Sequence, residues 1–348
     1  MKFIMTIDTE GDNQWDHGCE LSVKNIKAIP RFQELCTKYG IKPTYLVTSE
    51  VCNDDFAKEL FKEFIRSDRA EIGAHLHSWT TPPFLDKEGY KFNDVNHAFL
   101  SELPIDLLAD KIKNLTEQIE TSFGTRPLSF RSGRYGFNEN VAKTLIENSY
   151  LVDSSVTPFY NWSSHQGLPG GKGGPNYFDK SPNPYHYHFN HGSLLEIPMT
   201  ILPTRYPLNA FPEFAKYYYK NVQHNILLRI LRKLLLKRQP LWLSPFEWMS
   251  VDLLEEIVKE ANKLKLPFIL MWFHSSELMA GCSIYRRDEE AIERLFALLE
   301  NFFILLNRNN IGSVTLKEAA SNCKTGESAS EVTLQKHSGA LSGIGTSD

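Results

Sequence analysis

The 348-residue sequence has no cysteine framework: Cys19, Cys36, Cys52, Cys282 and Cys323 are odd in number, and no two have the CxxC spacing. This excludes a disulfide scaffold and a cysteine zinc knot, and predicts free thiols in a reducing compartment. A basic surplus is also missing. The chain has 38 Lys and Arg against 42 Asp and Glu, a net charge of −4, so overall charge would not draw it to nucleic acid. No uncharged apolar run approaches the roughly 20 residues of a membrane span. Residues 1–8 have no charged stretch followed by an apolar one, so no secretion signal is predicted. No internal repeat occurs. These absences together predict a cytoplasmic globular protein.

The remaining composition is ordinary: 42% hydrophobic and 23% charged residues, enough to bury a core without staples. Short apolar runs alternate with amphipathic stretches. Strands are predicted at 3–7, 44–47, 70–76, 128–131, 151–155, 194–199, 268–273 and 313–316. Helices are predicted at 22–39, 53–67, 104–123, 138–148, 251–265 and 288–307. Such alternation predicts an α/β protein with a parallel sheet or a β/α barrel. One barrel domain over residues 1–323 is expected, with insertions at about 157–184 and 211–240. Residues 324–348 are rich in Ser, Gly and Thr, and a disordered tail is expected there.

In such folds reactive groups gather past the carboxyl ends of strands. Four sets stand at these ends: Asp8-Thr9-Glu10-Gly11-Asp12, His75-Leu76-His77, Arg131-Ser132-Gly133-Arg134-Tyr135, and His274 after an apolar run. Residues i and i+2 of an extended segment point the same way, so His75 and His77 can reach one ion. Each set alone has a plainer reading, as a turn, a surface ion pair or a buried histidine. What points to function is the combination: carboxylates, two histidines, an arginine and a lone histidine, all at carboxyl ends in one sheet.

With these motifs the sequence resembles the NodB-homology polysaccharide deacetylases of carbohydrate esterase family 4, over about residues 1–320. The resemblance implies a distorted (β/α) barrel. It implies Asp8 as catalytic base, Glu10 as acidic metal ligand, and His75 and His77 as metal-ligating histidines. Arg131 would orient the base, the backbone N–H near Tyr135 would receive the oxyanion, and His274 would be the general acid. Val152-Asp153-Ser154-Ser155 resembles a fourth motif. The His-x-His-Ser-Trp form is similar to the branch linked to lipopolysaccharide and O-antigen synthesis. This sequence departs from the usual pattern in three places. Glu10 is separated from Asp8 by Thr9, with Asp12 as a rival ligand. Trp79 stands where a second histidine is usual, so His77 substitutes. The third motif is one residue longer. The implied cofactor is a divalent ion, Zn²⁺ first, with Co²⁺ or Ni²⁺ able to replace it. The implied substrate is an N-acylated sugar or oligosaccharide.

Two other features bear on function. The loop at 157–184 contains Gly170-Gly171-Lys172-Gly173-Gly174, which is expected to leave it mobile. It also carries Trp162, which with Trp79 is the candidate for stacking on a sugar. Residues 226–238 predict a helix with Arg229, Arg232, Lys233 and Lys237 on one face and Leu227, Leu228, Leu231, Leu234 and Leu235 on the other. Such a helix either packs on the barrel or lies on an anionic membrane. The cluster His186-Tyr187-His188-Phe189-Asn190-His191 reads as a hairpin strand. The competing functions are an amidohydrolase-type barrel, which places its His-x-His on the first strand, and a catalytically inactive carbohydrate-binding barrel.

Overall fold

The computed structural model describes residues 1–14, 21–84 and 97–325. Along the chain run β1 (Lys2–Thr9), α1 (Ile29–Lys38), β2 (Thr44–Val47), α2 (Ser49–Cys52), α3 (Asp55–Arg66), β3 (Glu71–Leu76), α4 (Ile105–Phe123), β4 (Ser129–Ser132), α5 (Glu139–Glu147) and β5 (Val152–Asp153). They are followed by β6 (Tyr185–Phe189), β7 (Gly192–Glu196), β8 (Ile201–Leu202), α6 (Pro212–Asn221), α7 (Ile226–Leu234), β9 (Leu241–Trp242), α8 (Val251–Lys263), β10 (Phe268–His274), α9 (Glu289–Arg308) and α10 (Leu316–Thr325). Eight strands form one curled sheet in the order β10-β1-β2-β3-β4-β5-β7-β6. Its neighbours are parallel except in the β6–β7 hairpin. This is the expected α/β architecture, with the barrel left open between its edge strands. The two-stranded β8–β9 sheet lies against the edge strand β10. There the Thr200 hydroxyl accepts from the Leu270 N–H at 2.8 Å, and the Ser244 hydroxyl donates to the Trp272 carbonyl at 2.8 Å.

Strand alternation decides what faces the barrel interior. From β1, Phe3, Met5 and Ile7 pack outward in one core with Phe32, Phe302 and Phe303 of the helices, while Ile4 packs inward with Leu46 and Leu270. Thr6 and Asp8 share the parity of Ile4. In β10 the outward set is Ile269, Met271 and Phe273, and the inward set is Phe268, Leu270 and Trp272, with His274 next in parity and in register with Asp8. Leu316, Ala319 and Ala320 of α10 join the interior cluster. The Glu71 carboxylate, at the start of β3, accepts from the Lys317 N–H at 3.0 Å, which anchors α10 at the amino ends of the strands. The opposite, carboxyl ends are left for the polar residues.

Several local expectations differ from the structure. Residues 22–39 are not one helix: a 3₁₀ turn, Lys24–Ala28, precedes α1, whose second residue is Pro30. Proline has no N–H to donate back along a helix, so the α-helix starts afresh there. Residues 313–316 make a single bridge, Phe3 to Ser313, before α10 begins. The insertion at 211–240 contains two helices, and the basic one ends at Leu234 instead of Arg238. Its apolar side is partly uncovered: Leu228 is buried and Leu231 packs beside it, but Leu227 and Leu234 are each 72% exposed, and Leu235, just past the helix, 62%. Among the described residues no helix is long and apolar enough to cross a membrane. In the 157–184 loop the glycines permit close approach. The backbone folds around Glu102, whose carboxylate accepts from Leu168 N–H at 3.1 Å and Gly173 N–H at 3.0 Å. A Cβ at Gly167 or Gly171 would overlap that carboxylate. The tail expected at 324–348 lies outside the described residues, apart from the last two residues of α10.

Candidate active site

At the carboxyl end of β1, Asp8 and Glu10 are each only 2% exposed. Arg131 projects inward from β4 and is fully buried. Its Nη1 donates to Asp8 Oδ1 at 2.6 Å and its Nη2 to the hydroxyls of Thr6 and Ser154, both at 2.9 Å. Its Nε donates to the Ser154 carbonyl at 2.8 Å. Four bonds in one plane fix the guanidinium, which in turn fixes the Asp8 carboxylate and balances its charge.

His75 and His77 come from the inward face of β3 and the residue after it. The Arg131 carbonyl can only accept, so His75 Nδ1 is the donor in their 3.0 Å hydrogen bond. In the neutral ring this fixes the tautomer and directs the Nε2 lone pair toward Glu10 Oε2, 3.5 Å away. Burial opposes protonation there, but Asp8 and Glu10 raise the ring's pKa, so a proton competes with an ion for Nε2. His77 Nε2 lies 2.9 Å from the same oxygen. One ligand atom from each of Glu10, His75 and His77 falls within 4.8 Å of the others, and among the described residues this is the one group so arranged. Burial pushes His77 down to about 4, so its ring is neutral at neutral pH, as a ligand must be. Burial alone would raise the Glu10 carboxyl, but His274, His75 and His77 together hold it well below the usual carboxylate range. A buried carboxylate among imidazoles and without Lys or Arg is a site for a cation. These donors fit a small divalent ion.

Asp12, the rival ligand, serves the loop. Its oxygens accept from Ser22 Oγ at 2.6 Å, Lys24 N–H at 2.8 Å, Asn25 N–H at 3.0 Å and Asn25 Nδ2 at 2.6 Å. Four donors leave it little capacity for an ion.

His77 rests on Gly133, where a Cβ would overlap the imidazole ring. Gly133→Ala is therefore expected to displace His77 and lower metal affinity about 10–100-fold, with the Asp8–Arg131 pair untouched. Metal titration of the purified variant checks this, and unchanged affinity would mean that His77 is not a ligand.

His274 ends β10. Its backbone N–H donates to Glu277 Oε1 at 3.2 Å, its Nδ1 lies 3.4 Å from the same oxygen, and its Nε2 lies 4.0 Å from Glu10 Oε1. Burial opposes protonation of this ring, but Glu10 foremost, with Glu277 and Asp8, raises it to about 9. Asp8, Glu10, His75, His77 and His274 line one cavity of about 520 Å³, together with Trp79, Tyr135 and Trp162. Trp79 packs on His77 at a centroid distance of 4.4 Å. Trp162 Nε1 donates to Thr157 Oγ1 at 2.8 Å, and its ring lies 5.1 Å from that of Tyr135. Arg134 and Tyr135 both have positive φ, 52° and 61°, which turns their backbone sharply beside the cavity. The structure thus places eight of the nine sequence-predicted site residues on one cavity, and the ninth, Arg131, behind Asp8. His186 and His188 instead face each other in the β6–β7 hairpin, at a ring separation of 5.6 Å.

Sequence reasoning missed the supports. Glu277, three residues after His274, was the most accessible, since a carboxylate beside a candidate acid histidine is a recurrent pairing. Asp153 and Glu196 form a fully buried acid pair behind Arg131. Burial raises both, Asp153 to about 6 and Glu196 well above the usual carboxylate range. Asp153 accepts from Ser155 N–H and Oγ, each at 2.8 Å, and so shapes the turn that presents Ser154 to Arg131. Lys111 is buried under the Trp79 loop. It donates to the carbonyls of Ser78, Thr81 and Pro83, and burial lowers its pKa to about 8.

No family model matches the sequence, and no curated protein matches it. Among solved structures, the chain is similar to a protein from Mycobacterium smegmatis assigned as a polysaccharide deacetylase, at 14% identity and TM-score 0.52, over 93% of this chain and 90% of that one. The fold is the polysaccharide deacetylase fold. Weaker likenesses include a family 4 acetyl xylan esterase from Clostridium thermocellum in complex with cobalt, at 13% identity and TM-score 0.40, over 92% of this chain and 91% of that one. Another is a CE4 family pseudoenzyme from Bacillus anthracis, at 10% identity and TM-score 0.44, over 92% of this chain and 65% of that one. On this deacetylase fold, Asp8 and Glu10, His75 and His77, Arg131, and His274 stand at the carboxyl ends of β1, β3, β4 and β10.

Proposed function

We propose that the protein is a metal-dependent hydrolase that removes an N-acetyl or other N-acyl group from a sugar of a glycan or glycan precursor. One observation carries this reading: Glu10, His75 and His77 converge within 4.8 Å, and the Arg131-held Asp8 and Glu277-held His274 line the same cavity. Glu10, His75 and His77 would hold the ion, for which Zn²⁺ suits the two imidazoles and one carboxylate, with Co²⁺ or Ni²⁺ as substitutes. When bound, it supplies Lewis acidity toward the acyl oxygen and acidifies water. Asp8 takes the proton from the attacking water. His274 gives a proton to the leaving nitrogen, and Glu277 orients its ring. The backbone N–H at Tyr135 steadies the acyl oxygen, and Trp79 and Trp162 offer apolar faces to the sugar ring.

Free thiols at Cys36, Cys52, Cys282 and Cys323 support a reducing, cytoplasmic setting, and the exposed apolar side of α7 supports contact with the inner face of a membrane. Exhaustive chelation is expected to abolish amine release from N-acetylated sugars, and one equivalent of Zn²⁺ or Co²⁺ to restore it. Full activity with no metal detected would overturn the reading. Two ions per chain at saturation would favour the amidohydrolase alternative, and sugar binding without turnover the inactive barrel.

A further inference from the structure

A second, larger cavity of about 1150 Å³ adjoins the first and shares Tyr135, Trp162 and Trp272 with it. Its outer wall carries Arg229, Arg232 and Lys233 from α7, with Lys237 and Arg238 just beyond that helix. No acidic residue lines it, and none of the five cations forms an ion pair with a described carboxylate. The chain as a whole has a net charge of −4, so this cluster is local and not a product of general basicity. Like charges gathered without counter-charge repel one another, and such an arrangement is relieved by an anion. The facing wall is aromatic. Trp242 Nε1 donates to the Tyr160 hydroxyl at 2.6 Å, and the Trp242 ring lies 5.8 Å from that of Trp272.

We propose that the substrate sugar carries a phosphate or diphosphate and that this cavity holds it. The N-acyl group would then lie among Glu10, His75 and His77, the sugar ring against Tyr135, Trp162 and Trp272, and the anion among Arg229, Arg232, Lys233, Lys237 and Arg238. Arg matches phosphate oxygens two at a time, and Lys adds point charge. A phosphate on a sugar is borne by a nucleotide or by a lipid. The cavity's rim favours the lipid: Ile226 and Ile230 line its mouth at 69% and 49% exposure, beside Leu227 and Leu234. An apolar edge next to cations is the arrangement that rests on an anionic lipid surface.

This inference rests on the deacylase reading, and its test avoids turnover. Inorganic pyrophosphate is titrated against the metal-loaded full-length protein and against Arg229→Gln/Lys233→Gln, both of which are exposed positions. Binding by the wild type, weakened about tenfold or more in the variant at unchanged Tm, is expected. Binding that the variant keeps would place pyrophosphate on the metal, and no binding by the wild type would leave the cavity without an anion; either result overturns the proposal. Two further arms identify the carrier. Phosphatidylcholine vesicles containing a long-chain polyprenyl phosphate should capture the wild type and not the variant, whereas tighter binding of a nucleotide diphosphate sugar than of pyrophosphate would assign the soluble carrier. Equal capture by phosphatidylcholine alone would reduce α7 to a lipid-binding face and overturn the phosphate site. If the deacylase reading fails, pyrophosphate binding persists without turnover. If the phosphate site fails, amine release from neutral N-acetyl sugars persists.

Discussion

Asp8→Asn is expected to abolish turnover, by about 10⁴-fold, while the protein keeps its metal. Asparagine retains the size of the side chain and can still accept from Arg131 Nη1, which lies 2.6 Å from Asp8 Oδ1 in the native site. What it loses is a basic oxygen and the charge opposite a fully buried guanidinium. Some fall in Tm should therefore accompany the loss of rate, because a buried Arg without its carboxylate is costly. Glu10→Gln should behave in the opposite way. Glu10 Oε2 is the atom that lies 2.9 Å from His77 and 3.5 Å from His75. Partners that merely support metal ligands are worth about 10–100-fold in affinity, so removing a charged ligand should cost at least that. Excess metal should recover part of the rate in Glu10→Gln and none in Asp8→Asn. Asp12→Asn serves as the internal control: its four hydrogen bonds tie the loop at Ser22, Lys24 and Asn25, so it should lower Tm and leave metal content alone. Bound metal and amine release measured on the three variants settle the roles. Metal loss in Asp8→Asn with retention in Glu10→Gln would reverse the assignment.

The second large effect belongs to His274. His274→Ala is expected to slow hydrolysis of N-acetyl sugars about 10²–10⁴-fold at unchanged metal content. Its Nε2 lies 4.0 Å from Glu10 Oε1, beyond the contact that His75 and His77 make with that residue, and Glu277 holds the ring from behind. A general acid matters in proportion to how poor the leaving group is. Nitrophenolate leaves from its acetyl ester without protonation, so the variant should retain most of its activity on that substrate. Equal loss on ester and amide, or loss of metal, would make His274 something other than the acid. Glu277→Gln should show the same substrate pattern at smaller amplitude, as expected of a residue that positions the ring.

Much of the site was legible because strand periodicity and chain punctuation act locally. Asp8, His75, Arg131 and His274 stand where apolar runs stop, and the two-residue period places them on the inward face. The curvature of the sheet then gathers them. The supports were not legible because they arise from pairings remote in sequence: Arg131 meets Thr6 and Ser154, and Asp153 meets Glu196. Elements too short to show a period were also missed, notably β8 and β9 at two residues each. Residues 22–39 carried a helical apolar pattern that was real on both sides of Pro30, but a pattern does not reveal where a missing N–H breaks the ladder. Hydrophobic spacing alone likewise gives no information about which leucines of α7 find a partner: Leu228 and Leu231 do, and Leu227 and Leu234 stay exposed.

The seam between the small β8–β9 sheet and β10 has a mechanical consequence. Elsewhere the barrel wall is a ladder of backbone bonds that share load and give way together, but here the closure includes the hydroxyls of Thr200 and Ser244. A clasp of side chains loosens one bond at a time and well below the threshold for unfolding. The seam is thus more compliant than the β1–β10 ladder beside it. Trp242 belongs to one side of it and Trp272 to the other, with rings 5.8 Å apart, so any slack in that clasp is felt in the aromatic wall of the larger cavity.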